Sequence, residues 1–114
     1  MSKPADTPGD FNTPISNDAF RLAYEGDMRT LAHLDRQPQL INAIGHLEIP
    51  GVVYVPSTLL HFACRGGNDQ LAFALVKRGA DIASKNLVGD TPLIYCDETL
   101  RRRLLDLAEQ VGKK

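Results

Sequence analysis

Three histidines and two cysteines are the side chains of this 114-residue chain best suited to acid–base, nucleophilic or metal chemistry. His33, His46 and His61 are scattered, and no His/Asp/Ser or His/Cys constellation follows from their spacings. Cys64 and Cys96 stand 32 residues apart with no second Cys or His at metal-ligand spacing near either. That usage fits two buried small residues in a reducing compartment better than a disulfide framework. Gly66-Gly67 and Gly79 are not phosphate loops, because no Lys-Ser/Thr follows them, and they read as helix ends. The Arg101-Arg102-Arg103 run reads as a solvated face, with an acidic partner patch as the alternative and RNA as a weaker one. The residue types therefore predict no catalytic centre, no metal site and no cofactor.

Bulk composition narrows the classes further. The chain is 43 % hydrophobic and 24 % charged with a formal net charge of -1, which exerts no general pull toward nucleic acid or a membrane surface. Trp is absent and aromatics make up 6 %, so the expected core is Leu, Ala, Val and Ile. No apolar run reaches the roughly 18 residues of a membrane span. The N-terminus, Met1-Ser2-Lys3-Pro4-Ala5-Asp6, lacks the apolar stretch of a secretory signal, so a cytoplasmic location is expected. Residues 1–16, with Pro4, Pro8 and Pro14 and no helical or strand period, read as a disordered leader.

Residues 17–114 carry an internal repeat. Thr58 and Thr91 are 33 residues apart, and Leu60 and Leu93, Leu71 and Leu104, and Gly79 and Gly112 share that offset. Gly26 and Gly67, Leu34 and Leu75, and Ile41 and Ile82 are separated by 41, which is the same period plus an eight-residue insertion between Ile41 and Thr58. The units then run over about 17–41, 58–90 and 91–114, each opening on a residue able to cap a helix: Asn17, Thr58 and Thr91. Each unit is expected to form two helices. In the second, Thr58 to about Gly66 presents Leu60, Ala63 and Cys64 on one face, and about Asp69 to Arg78 presents Leu71, Ala72, Leu75 and Val76. Gly79 is the expected left-handed cap. Helices of about ten residues are not stable alone, so each must bury its stripe on its neighbours. In the last unit, Leu100, Leu104, Leu105 and Ala108 are expected to pack inward.

The insertion, 42–57, contains Pro50-Gly51, a pair suited to a two-residue turn. Ile49 would face Val52, Glu48 would face Val53, Leu47 would face Tyr54 and His46 would face Val55. One side of such a ribbon is wholly apolar (Ile49, Val52, Leu47, Tyr54). A Pro-Gly type II turn matches hairpin twist poorly, which loosens the ribbon. Its apolar side must fold over the first or second unit or meet a partner.

The motif Thr58-Leu-Leu-His-Phe-Ala-Cys-Arg-Gly-Gly-Asn, then Leu75-Val-Lys-Arg-Gly-Ala-Asp-Ile-Ala, then Gly89-Asp-Thr-Pro-Leu resembles the ankyrin repeat. The resemblance covers about Asn17 to Gly112, strongly in the second unit and weakly in the outer two. Leu59 stands where the family has Pro, Ile94 where it has His, and Asn17-Asp18-Ala19-Phe20 replaces the motif in the first unit. It implies an all-α, ankyrin-type helix-turn-helix stack, a solenoid, with an extended β-hairpin finger between repeats 1 and 2. It implies further that His61 bonds the Thr of its own motif and nearby backbone, and that Cys64 and Cys96 take the places of a small Ala pair. Ankyrin-type stacks bind proteins through their hairpin tips and the exposed residues of each first helix. Carried over, that surface is Tyr24 and Glu25 in the first unit; the finger's His46, Glu48, Val53 and Tyr54; Ser57 and Arg65 in the second; and Leu87, Val88, Asp90 and Glu98 in the third. The expected function is protein binding as an adaptor or inhibitor, by a monomer, with no nucleic-acid or membrane partner. The alternatives are an antitoxin-like inhibitor that plugs an enzyme with the finger, a small enzyme or enzyme subunit, and self-association through open strand edges or the apolar finger.

Overall fold

In the computed structural model, which describes residues 18–47, 50–51 and 55–112, the repeat appears first as paired short helices. Helix α1, Asp18–Glu25, buries Ala19, Phe20, Leu22 and Ala23, and α2, Arg29–Arg36, buries Thr30 and Leu34. Helices α3, Leu59–Arg65, and α4, Asp69–Lys77, repeat that pair. The break inside each pair falls on a glycine with left-handed backbone, Gly26 at φ +78° and Gly67 at φ +72°, a conformation that costs other L-residues about 1–2 kcal/mol. Two glycines 41 positions apart thus do one job, as the offset predicts. Leu34 and Leu75, related by the same offset, are both buried. The chain then continues through a 3-10 turn, Pro92–Tyr95, into α5, Glu98–Gly112.

Packing follows the chain order: α1 lies on α3, α3 on both α4 and the Pro92–Tyr95 turn, and α4 on α5. One core cluster runs from Ala19 to Leu104, with Phe20 and Phe62 edge to face at 6.0 Å between ring centres. Polar side chains stitch the units where stripes alone would let them slide. Asn68 Nδ2 donates to the carbonyls of Ala23 (3.1 Å) and Tyr24 (2.8 Å) in the last turn of α1. Asn42 donates to the Gly79 carbonyl at 3.2 Å and accepts from the Asp81 amide at 2.8 Å.

The third unit departs from the expected two helices. Its first half is a single 3-10 turn, and its second half is one 15-residue helix. At the 33-residue offset Thr99-Leu100 occupies the place of Gly66-Gly67, so nothing breaks the helix there. Asp97 starts it instead, its carboxylate accepting the Leu100 amide at 2.8 Å. Gly112 is the last residue of α5 and does not repeat the left-handed role of Gly79. Leu100 and Leu104 pack inward as expected and Ala108 is half-buried, but Leu105 is 45 % exposed; Leu107 takes the inward position, at i+3 from Leu104.

The insertion is anchored rather than free at its base. Gly45 and Ser57 exchange both backbone hydrogen bonds, at 2.9 and 3.1 Å, as an isolated antiparallel pair. Pairing of 45 with 57 is one residue out of register with the expected pairing of 46 with 55. Gly45 lies so close to Phe20 that a Cβ there would sit 2.2 Å from the ring. Leu47 is buried in the core cluster. Among the described residues no strand forms. The rungs expected at Glu48, Ile49, Val52, Val53 and Tyr54 lie outside the described residues, as do the leader 1–16 and the cap at Asn17.

Candidate functional site: a cleft between the second and third units

The cleft is built from the residues that join α3 to the Pro92–Tyr95 turn. Thr58 caps α3 reciprocally: its hydroxyl oxygen accepts the His61 amide at 3.3 Å, and its own amide donates to His61 Nδ1 at 3.2 Å. The Thr58 hydroxyl also meets Nδ1 at 2.7 Å. On the far side of the ring, Nε2 lies 2.7 Å from the Asp90 carbonyl oxygen. A carbonyl can only accept, so Nε2 carries the proton and Nδ1 accepts. Burial holds the His61 pKa below its ordinary value, in keeping with a neutral ring.

A second hub is Asn86, which the sequence reading did not single out. Its amide oxygen accepts the Val88 (3.1 Å) and Asp90 (2.9 Å) amides, shaping the turn over Leu87, Val88 and Gly89. Its Nδ2 donates to Ser57 Oγ and to the Tyr95 hydroxyl, each at 3.1 Å. Tyr95 in turn donates to the Asp90 carboxylate at 3.2 Å. Asn86 therefore ties the turn before the third unit to the base of the insertion and to the ring of Tyr95.

These supports enclose a cleft of about 300 Å³. Val55, Phe62 and Val88 give its apolar walls, Ser57 and His61 its polar floor, and Arg65, Asp90 and Tyr95 its rim. The Arg65 guanidinium lies over the Tyr95 ring, 4.7 Å from its centre, a cation–π arrangement that orients the charge. The His61 and Tyr95 rings are edge to face at 6.0 Å. Leu87 and Val88 extend beyond the cleft, 55 % and 61 % exposed.

Four of the residues expected on the binding surface therefore meet here: Ser57, Arg65, Val88 and Asp90. They differ in role. Arg65 and Val88 are exposed and Asp90 is half-buried, whereas Ser57 is 3 % exposed. Its hydroxyl donates to the Val55 carbonyl at 2.8 Å and accepts from Asn86, which makes it a floor residue. Leu87 stands on the adjoining tip. Tyr24 is half-buried and Glu25 exposed, at the end of α1 one unit away; Glu25 pairs with Arg21 at 3.2 Å. His46 is exposed beside the Gly45–Ser57 pair. Glu98 pairs with Arg102 at 3.2 Å and lines a separate depression with Thr99, Arg103 and Asp106. Glu48, Val53 and Tyr54 lie outside the described residues. The cleft residues that sequence reading missed are Val55, His61, Phe62 and Tyr95. Tyr95 was within reach of the 33-residue offset, which places it on Phe62.

Chemically, the cleft offers recognition. Both His61 nitrogens are engaged, and the Ser57 proton points at a carbonyl, so neither serves as a base or nucleophile in this arrangement. Among the described residues no group of three or more His, Cys, Asp or Glu could hold a metal ion, and no helix is long and apolar enough to cross a membrane. A family model, that of the ankyrin repeat, matches residues 57–87, the segment that supplies α3, α4 and the start of the Leu87–Gly89 turn.

Proposed function

Because residues 57–87 are an ankyrin repeat, a module that generally binds proteins and is generally not enzymatic, we propose that this chain recognises a partner protein at the cleft beside α3. The observation that carries the proposal is the oriented Arg65–Tyr95 pair set next to the exposed Leu87–Val88 tip. Arg and Tyr with flanking aliphatics are the side chains that dominate interface cores. Hydrogen bonds to Asn86 and His61 hold the cleft's walls in place before binding, which lowers the entropy that association must overcome. Arg65, Val88 and Asp90 form the centre of the contact, with Leu87 beside them. Tyr24, Glu25 and His46 would extend the contact, and the insertion residues Glu48, Val53 and Tyr54 are proposed to take part in it. The body presenting this surface is residues 17–114, acting as a cytoplasmic monomer that serves as an adaptor or inhibitor.

The test is affinity capture from the native lysate with the intact chain, set against Arg65→Ala combined with Val88→Asp. Both positions are exposed, so the double variant should keep its melting temperature while losing the proteins that the unaltered chain retains. Equal retention by the two would remove the cleft from the interface. Replacing residues 48–54 by a short turn separates the adaptor from the finger-plugging inhibitor, since only the latter loses potency.

A further inference from the structure

Asp90 is held from three directions at the edge of the cleft. Its amide donates to Asn86 Oδ1 at 2.9 Å, its carbonyl accepts from His61 Nε2 at 2.7 Å, and its carboxylate accepts the Tyr95 hydroxyl at 3.2 Å. Yet that carboxylate has no cation beside it. Glu25, Asp27, Asp35 and Glu98 each have an arginine partner. Among the described residues no basic side chain stands within ion-pair distance of Asp90, and its one side-chain donor is the neutral Tyr95 phenol. Half-buried, it lines a void whose other walls, Val55, Phe62 and Val88, are apolar. At about 300 Å³ the void stands at the low end of ligand pockets, about 300–1,000 Å³, and suits one long side chain.

We propose that the partner protein lays a lysine along this cleft, its stem against Val55, Phe62 and Val88 and its ammonium on the Asp90 carboxylate. The inference rests on reading the cleft as a protein-binding site and names the chemistry that it recognises. Lysine combines an apolar stem with a compact terminal charge, which matches apolar walls that end at a carboxylate. Arginine fits less well, because a guanidinium gains from stacking on an aromatic face and the Tyr95 face already carries Arg65. The Arg65 charge also opposes a second cation over the ring, which confines the arriving ammonium to the Asp90 end. Charge complementarity at Asp90 selects the partner, and the three hydrogen bonds mean that Asp90 need not reorganise to accept it.

The experiment titrates the isotopically labelled full chain with acetylated, amidated pentapeptides and follows its amides by NMR. The peptides share flanking alanines and carry lysine, acetyl-lysine, norleucine or arginine at the centre. At low salt the lysine peptide should bind at least ~5-fold more tightly than the acetyl-lysine and norleucine peptides, with shifts at the Val88 and Asp90 amides. Asp90→Asn keeps an acceptor for Tyr95 and loses the charge, so it should abolish that preference at an unchanged melting temperature. Equal binding of the lysine and norleucine peptides overturns the proposal, and shifts at the cleft would then leave the cleft standing as a binding site. A preference that survives Asp90→Asn overturns it too, as does tighter binding of the arginine peptide or no binding at millimolar peptide. The comparison of peptides uses the unaltered chain, so a poorly folding variant does not compromise it. Whether the cleft binds a protein at all is read separately, from the capture experiment with Arg65→Ala and Val88→Asp.

Discussion

The imidazole Nε2 of His61 donates to the backbone carbonyl of Asp90 at 2.7 Å, joining α3 to the residue before the third unit across 29 positions. With Nδ1 accepting from Thr58, one neutral ring both caps its own helix and holds the next unit in place. His61→Ala removes the ring from a buried site and leaves the Asp90 carbonyl and the Thr58 amide without these partners. The expected cost is about 3 kcal/mol, read from urea unfolding, with the loss concentrated in the third unit's amide protection.

That geometry also fixes a pH dependence. Burial lowers the His61 pKa in the folded chain, so at mildly acidic pH the unfolded chain binds the proton more readily. The stabilisation from a neutral ring is complete above about pH 6.5 and declines as pH falls through the lower folded value. Melting temperature should fall between pH 7 and 5, and His61→Gln should flatten that slope. An unchanged slope in the variant would place the titration elsewhere.

Asn86 organises the tip through four side-chain hydrogen bonds, to Ser57, Val88, Asp90 and Tyr95. Asn86→Ala should destabilise the chain by about 2–3 kcal/mol and accelerate hydrogen exchange at the Val88 and Asp90 amides. Asn86→Asp, which keeps the acceptors and loses the donors to Ser57 and Tyr95, should preserve the turn but loosen Tyr95. Tyrosine fluorescence anisotropy distinguishes the two.

Adjacent leucines on α5 should respond oppositely. Leu104 is fully buried and Leu105 is 45 % exposed. Leu104→Ala should cost about 2–5 kcal/mol, and Leu105→Ala less than about 0.5 kcal/mol. Equal costs would mean that α5 is rotated from the position described.

Gly45→Ala tests the docking of the insertion base, because the added methyl meets the Phe20 ring at 2.2 Å. A loss of about 1–3 kcal/mol is expected, relieved by shortening Phe20 to Leu in the double variant. Non-additive costs in that cycle are the signature of contact between the two positions.

Much of the fold was legible because the repeat writes the same physical constraint twice. Gly26 and Gly67 need the same backbone conformation, Leu34 and Leu75 the same burial, and Thr58 the cap its position implied. The third unit was misread where its local chemistry differs: without a Gly pair at Thr99-Leu100, and with Asp97 as a new cap, helix periodicity continued instead of breaking. Leu105 was assigned inward because two neighbouring leucines fit a 3.6-residue stripe about equally, and only packing decides between Leu105 and Leu107. The cleft was half legible. Arg65 and Val88 could be carried over position by position and Tyr95 lay within reach of the repeat offset, but Asn86 acts through side-chain bonds to Ser57 and Tyr95, which spacing does not encode.

The paired backbone of Gly45 and Ser57 separates two design problems within one chain. The flanks of the insertion, through Leu47 on one side and Val55 on the other, are tied together at this one pair, so the length of what they carry is decoupled from the spacing of the repeats. Doubling a flexible loop's length adds only about 0.6 kcal/mol of closure entropy. The pair is therefore a natural splice point, where recognition sequences of different length can be exchanged while the neighbouring helices stay in place.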